Sequence, residues 1–268
     1  MTLDMDIAAG EQTQAARNLI AQAQVALVDL VMVTALELCS LGGPAHPLFD
    51  EIPIQAWTRL GQEQRRQVTE QATQGLVRRG LLVDTTSRIT PEQPIETCAL
   101  KPELGLVLAA RCRPAFVVIA QAEDHTLRTL RLFALGDEAE PAQSFVLEMP
   151  GLPVNPGRHF SEAGKLGPLG WCYRYVLVSR DMAAEVLAQW TVFPPWRPGA
   201  SASLGWLVSA WYPDRKDPAG YRLRIRGDGT KACLDGLAND APTQYDAEGL
   251  HAVMLDFLTR ALDWPVAM

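Results

Sequence analysis

The sequence predicts an α+β fold, an antiparallel β-sheet flanked by helical bundles, from two observations. Before Pro114 the chain consists largely of runs of helix formers that stop at Gly or Pro. After Pro114 the apolar period shortens to that of short strands split by polar turns, with two helices inserted among them. Helices and strands are therefore segregated along the chain, and no segment recurs at a fixed period.

Composition bounds the function classes. The 268 residues suit one large domain or two small ones and can bury a core without disulfide or metal staples. A 48% hydrophobic and 21% charged content is that of an ordinary soluble globular chain. The 24 Lys+Arg are outnumbered by 31 Asp+Glu, for a net charge of −7. That balance argues against a sequence-blind grip on nucleic acid or anionic lipid, which needs a cationic surface. Asp4 and Asp6 open the chain and no Lys or Arg precedes Arg17, so no secretory signal is read. The most apolar run, Leu30 to Leu36, is far shorter than the roughly 20 residues that span a bilayer. Cys39, Cys98, Cys112, Cys172 and Cys233 form no CxxC and read as reduced thiols, so a cytoplasmic protein is expected.

The elements follow in order. Residues 1–10 read as frayed or disordered, and residues 1–24 as an N-terminal extension, partly helical or disordered. Residues 25–268 read as one α+β domain with a helical half, 25–113, and a sheet-rich half, 114–268. From Glu11 to about Leu41 no Pro and no Gly interrupts a helical reading, although Leu30 to Val33 also fits a short strand. Gly42, Gly43 and Pro44 stop it, and a Pro-rich turn follows. Gln62 to Arg79 carries an apolar stripe of Val68, Ala72, Leu76 and Val77, with Gly80 placed to end the helix. Leu81 to Asp84 and Arg88 to Thr90 fit a small hairpin. Pro102 to Cys112 reads as a helix with Pro in its first turn, where the missing N–H costs nothing.

Strands are expected at Ala115 to Ala120, Leu127 to Ala134, Ser144 to Glu148 and Trp171 to Val178. Residues 150–170, with four Pro and five Gly, read as a long loop. A helix capped by Ser179 is expected from Asp181 to Trp190, and strands at Leu204 to Trp211 and Tyr221 to Arg226. The latter alternates Tyr221, Leu223 and Ile225 with Arg222, Arg224 and Arg226, so one face is apolar and the other cationic. A tight Gly227-Asp228-Gly229 turn leads to Lys231 to Leu234. The last helix runs from Asp246, its N-cap, to about Leu262.

No residue pattern spells a catalytic or metal centre. His46, His125, His159 and His251 are scattered, without the close ligand pairs of a zinc site. GxSxG and the phosphate-binding Gly-rich loops are absent, and GDGTK at 227–231 reads as a turn. Convergence of His159 or His125 on an acid would mark an enzyme of unrecognised class. Cys39 and Cys172 sit among apolar residues as core thiols. The pairs Asp137/Glu138 and Asp214/Asp217 read as solvated turns. A winged-helix regulator is the alternative, since LVRRGLLVDTTSRIT imitates a recognition helix and wing. Arg65, Arg66, Arg78 and Arg79 would supply its charge, against which stand Glu63 and Glu70.

Aromatic clustering is the unusual feature. Trp171, Trp190, Trp196, Trp206 and Trp211 are five of the seven tryptophans. One reading is a core of strands and a helix. The other exposes part of the cluster as an apolar docking patch, with Trp190, Phe193, Trp196 and Trp211 as partner-binding residues.

The order of signals resembles a known family. Leu76-Val77-Arg78-Arg79-Gly80-Leu81, Pro102-Glu103-Leu104 and Arg113-Pro114, after a helix ending in a Gly/Pro turn, look like the skeleton of EspG-type proteins. These are cytosolic chaperones of type VII (ESX) secretion. The C-terminal half is similar in outline: Gly220-Tyr221 enters a strand, Gly227-Asp228-Gly229 turns, and an amphipathic helix closes the chain. The resemblance implies a quasi-two-fold α+β arrangement and a non-enzymatic role without cofactors. It implies that the partner is another protein, a hydrophobic helical secretion substrate shielded in the cytosol. The N-terminal extension and the 150–170 loop depart from the family pattern.

Overall fold

A computed structural model of the protein describes residues 2–42, 50–82, 100–123, 129–137, 140–152, 163–192, 204–213, 219–227, 232–235 and 243–263. Among these residues the helices are α1 (Thr2–Ala23), α2 (Ala35–Gly42), α3 (Glu51–Thr58), α4 (Gln62–Arg78), α5 (Pro102–Cys112), α6 (Arg180–Val192) and α7 (Ala247–Asp263). The strands are β1 (Val28–Thr34), β2 (Val117–Ala122), β3 (Thr129–Asp137), β4 (Glu140–Leu152), β5 (Cys172–Ser179), β6 (Leu204–Trp211), β7 (Ala219–Gly227), β8 (Ala232–Asp235) and β9 (Thr243–Tyr245). They lie in one sheet, in the order β1-β5-β4-β3-β2-β6-β7-β8-β9. The registered pairs β2–β3, β2–β6, β3–β4, β6–β7, β7–β8 and β8–β9 are all antiparallel, so the class is α+β. No helix among the described residues is long and apolar enough to cross a membrane. The chain forms two compact units. One holds Met1–Ala21, Asp29–Arg113 and Gly151–Tyr175, the other Gln22–Val28, Pro114–Pro150 and Val176–Met268.

In the first unit the expected frayed start is instead helical, since α1 begins at Thr2. The long helix expected from Glu11 to Leu41 is broken by β1. The run Val28-Asp29-Leu30-Val31-Met32-Val33-Thr34 is rich in β-branched residues, which fit an extended chain better than a helix. Thr34 then starts α2 with a reciprocal cap. Its Oγ1 accepts from the Glu37 N–H (3.2 Å), and Glu37 Oε2 accepts from the Thr34 N–H (2.8 Å).

Helix α3 occupies part of the expected Pro-rich turn. Its Pro53 falls in the first turn, where no N–H is needed, and Trp57 is buried. Helix α4 packs on α2 and buries Thr69, Ala72 and Leu76, with Val68 and Val77 half-buried. Its end is a Schellman motif: Leu81 N–H donates to Leu76 O (2.9 Å) and Gly80 N–H to Val77 O (2.8 Å), with Gly80 at φ 67. Leu82 pairs with Leu100; the rest of the hairpin expected after Leu81 lies outside the described residues. Helix α5 matches its expected bounds, and its buried Arg111 donates to Tyr175 Oη (2.9 Å). Within the 150–170 stretch expected as loop, Ala163–Gly170 forms 3-10 turns broken at Gly167 (φ 57).

In the second unit the sheet sends alternate residues to its two faces. One face carries Val118, Leu132, Phe145, Val178 and Trp206, all 0 or 1% exposed. Helices α6 and α7 pack there, through Ala183, Ala184 and Leu187 and through Met254, Phe257 and Leu258. Both helices begin as the sequence predicts. Ser179 Oγ accepts from the Met182 N–H (3.3 Å), and Asp246 Oδ1 from the Gly249 N–H (2.9 Å). The other face holds a buried ion pair between directly opposed residues, Arg131 Nη1 to Glu148 Oε1 at 2.5 Å. Strand β9 closes that end of the sheet without an expected counterpart.

Two substitutions test these constraints. Arg131→Met removes the guanidinium paired with the fully buried Glu148 carboxylate and is expected to cost about 3–5 kcal/mol in chemical denaturation. Adding Glu148→Leu should restore most of it; an equally unstable double variant would show that the pair is not what holds this site. Gly80→Ala, at a positive φ, is expected to lose about 1 kcal/mol by the same assay, without loss of fold.

Candidate partner-binding surface

Alternation places a second set of residues opposite α6 and α7. On β6 these are Leu207, Ser209 and Trp211; on β7, Arg222, Arg224 and Arg226; on β2, Ile119 and Gln121. The register sets Leu207 between Gln121 and Arg224, and Ser209 between Ile119 and Arg222. Side chains directly opposed in this way lie within about 5.5 Å of each other. Leu207 is 37% exposed, Arg222 and Arg226 are exposed, and Ile119 and Trp211 are half-buried. The result is a row along β6, with Leu207 and Trp211 on either side of Ser209, bordered by guanidinium groups on β7. No helix among the described residues of this unit packs on it.

Two local devices shape the surface. The β6–β7 register shifts between Ser209 and Trp211: three steps of β7, from Arg222 to Ala219, oppose two of β6, so the extra residue and the local bend lie on β7, opposite Trp211. Across the row, Glu123 pairs with Arg224, and its N–H donates to Gly205 O (2.8 Å). A Cβ at position 205 would land on the Glu123 carboxylate, so Gly205 is what lets that acid lie close to the sheet.

The expected patch residues separate. Trp211 lies on this open face. Trp190 does not belong to a patch: it is 8% exposed and packs in the α6/α7 core, because its position on α6 turns it toward the sheet. Trp206 is fully buried on the same side. Phe193 and Trp196 lie outside the described residues, as do His46, His125, His159 and Cys98. Leu207 and Ile119 went unsingled in the sequence, although the alternation of β6 against the Arg row of β7 was enough to find them.

The basic residues that would serve a recognition helix are engaged within the first unit. Arg79 donates to Glu37 Oε1 (2.5 Å) and Met32 O (2.7 Å). Arg66 pairs with Glu63 (2.7 Å), which holds that exposed carboxyl below its ordinary range. Arg65 donates to Thr58 O (2.7 Å) and its guanidinium lies 6.0 Å from the Trp57 ring centre.

No protein-family model and no curated protein matches the chain. What the surface can do therefore follows from its own chemistry. Among the described residues no group of three or more His, Cys, Asp or Glu is placed to hold a metal ion. His251 at the start of α7 lies 3.3 Å from Asp181 on α6, beside Glu185 and Glu248, in an open groove of about 300 Å³. Burial pushes the Cys39 thiol up to about 12; burial and then the Glu37 charge push Cys172 up to about 11. Both stay protonated at neutral pH, and a protonated thiol is a poor nucleophile.

Alkylation at pH 8 is expected to label the exposed Cys112 and to spare Cys39 and Cys172 until denaturant is added, read by peptide mass spectrometry. Because burial favours the neutral thiol, the Cys39 contribution to stability is complete below about pH 9 and is lost as pH rises toward about 12. Rapid native labelling of Cys39 at pH 8 would contradict this placement.

Proposed function

We propose that this chain is a non-enzymatic chaperone or adaptor that shields a hydrophobic helical secretion substrate in the cytosol, in the manner of the EspG-type proteins it resembles. One observation carries the reading: the open sheet face with Ile119, Leu207 and Trp211 bordered by Arg222 and Arg226. Recognition surfaces combine an apolar centre that releases water on contact with a charged rim that orients the partner. Trp is the residue most enriched among energetic anchors, and Arg follows closely. Holding the substrate works by mass action, lowering the free concentration of a chain that would otherwise self-associate.

The winged-helix reading is less favoured. Arg66 and Arg79 are tied to carboxylates, and Arg65 to a carbonyl and an indole, so their charge is partly spent within the protein. A DNA contact there would have to break those bonds.

The test is a pull-down from the native host with wild-type and variant baits, read by quantitative mass spectrometry. The wild type is expected to enrich a helical, apolar-tipped secretion substrate. Trp211→Ala and Leu207→Ala should each weaken that complex about tenfold or more, while the thermal midpoint moves by less than about 4 °C. Unchanged binding in both variants would remove the face from the proposal. Salt-sensitive capture of nucleic acid in place of a protein would replace the reading altogether.

A further inference from the structure

Strand β1 ends the sheet, with β5 on one side and no described strand on the other. Three hydrogen bonds fix which of its backbone groups point outward. Ala35 N–H donates to Trp171 O (2.7 Å), just before β5. One residue back, Thr34 N–H turns away and donates to Glu37 Oε2 (2.8 Å). Met32 O, of the same parity as Thr34, accepts from Arg79 Nη1 (2.7 Å). In an antiparallel strand the N–H and C=O of one residue leave on the same side, and the side alternates. Val28, Leu30 and Met32 therefore present their peptide groups to the open edge.

The Glu37–Arg79 pair plugs one end of that edge. It occupies Thr34 N–H and one lone pair of Met32 O. Among the described residues the rest lacks the usual protection. Natural edge strands carry Lys, Pro or bulges that discourage pairing. Here the sequence is Val-Asp-Leu-Val-Met-Val-Thr, and its one charge, Asp29, is bound by Arg174 (2.6 Å). Val28 and Leu30 are half-buried, and Met32 is 43% exposed.

We propose that this edge pairs with a second copy of the chain, antiparallel, about a two-fold axis at Leu30. The row Val28–Leu30–Met32 is apolar throughout, so a two-fold rotation about Leu30 sets Leu30 against Leu30 and Val28 against Met32 of the copy, with an apolar side chain opposite every apolar side chain. In this register Leu30 exchanges both backbone bonds with its own equivalent. Val28 N–H reaches the free lone pair of Met32 O in the copy, and Met32 N–H reaches Val28 O. Asp29 faces Val31, so the two Asp29 carboxylates are never directly opposed. Moving the axis to Met32 would set Leu30 against Thr34, whose N–H is already taken by Glu37. The plug thus sets the register.

Sedimentation equilibrium of the full chain across about 1–100 μM is the first test, and a dimer is expected. Leu30→Pro removes an outward N–H without touching a bond to β5 and should weaken dimerisation at least hundredfold with circular dichroism unchanged. Leu30→Lys serves the same end if the proline variant does not fold. In a Cys112→Ser background, Leu30→Cys should form an interchain disulfide on mild oxidation, because opposed residues on the axis are about 5.5 Å apart at Cα. Val28→Cys, which faces Met32, should not. A chain monomeric throughout that range overturns the proposal. So does a dimer that survives both Leu30 variants or fails to cross-link at position 30. Capture at this edge of an extended segment from another protein, by a chain that remains monomeric, overturns it as well.

Discussion

The constraint on which this architecture depends is the two-sided alternation of the strands in the second unit. Each of β2, β6 and β7 must send every other side chain to each face, and the two faces meet different surroundings. Helices α6 and α7 dry out one of them, so Val118, Val208 and Ile225 are fully buried there. The opposite row of β7 is Arg222, Arg224 and Arg226. A slip of one residue would drive those guanidinium groups under the helices and lift Ile225 into water. Burying an unpaired cation costs far more than such a core can recover, so the charges hold the register from the wet side while the aliphatic residues hold it from the dry side.

Among the described residues, each buried charged side chain has a partner. Glu37 is the clearest case, because one carboxylate serves two elements. Its Oε2 caps α2 and its Oε1 receives Arg79 from the end of α4. Arg79 is delivered there by the Schellman turn, which closes α4 one residue later at Gly80. The conformation of a glycine at a helix end is thereby linked to the chemistry of a sheet edge through a single ion pair. Arg111 with Tyr175, and Arg131 with Glu148, follow the same rule of satisfaction.

Much of this was legible in the residues. Helix α5 and strand β6 have the bounds that the sequence predicts, because Pro102 marks one start and the switch from PPWRPGAS to LGWLVSAW marks the other. Both caps of α6 and α7 were readable for the same local reason: a short polar side chain three residues ahead of an orphan N–H. The failures came where tertiary context overrode local preference. A run without Pro or Gly from Glu11 to Leu41 reads as helical with a short strand at Leu30 to Val33 as the alternative, and pairing in the sheet decides for the strand, over Val28–Thr34. Pro53 disguised α3, since a proline reads as a break unless its place in the first turn is known. Trp190, which the sequence offered both as core and as docking patch, lies in the core. Composition places an aromatic in a cluster but does not say which face of a helix it occupies.

The two exposed features offer different chemistry and so would suit different partners. The β6–β7 face presents side chains only, since its backbone groups are already paired within the sheet. A ligand there must bring its own satisfied backbone, which a helix does and an extended strand does not. The β1 edge presents the reverse: backbone N–H and C=O groups in a row, which a helix cannot answer and another strand can. A helical secretion substrate on the face and a second copy at the edge would consequently not compete for the same bonding groups. Occupancy of one leaves the chemical requirement of the other unchanged, so each surface stands or falls on its own observations.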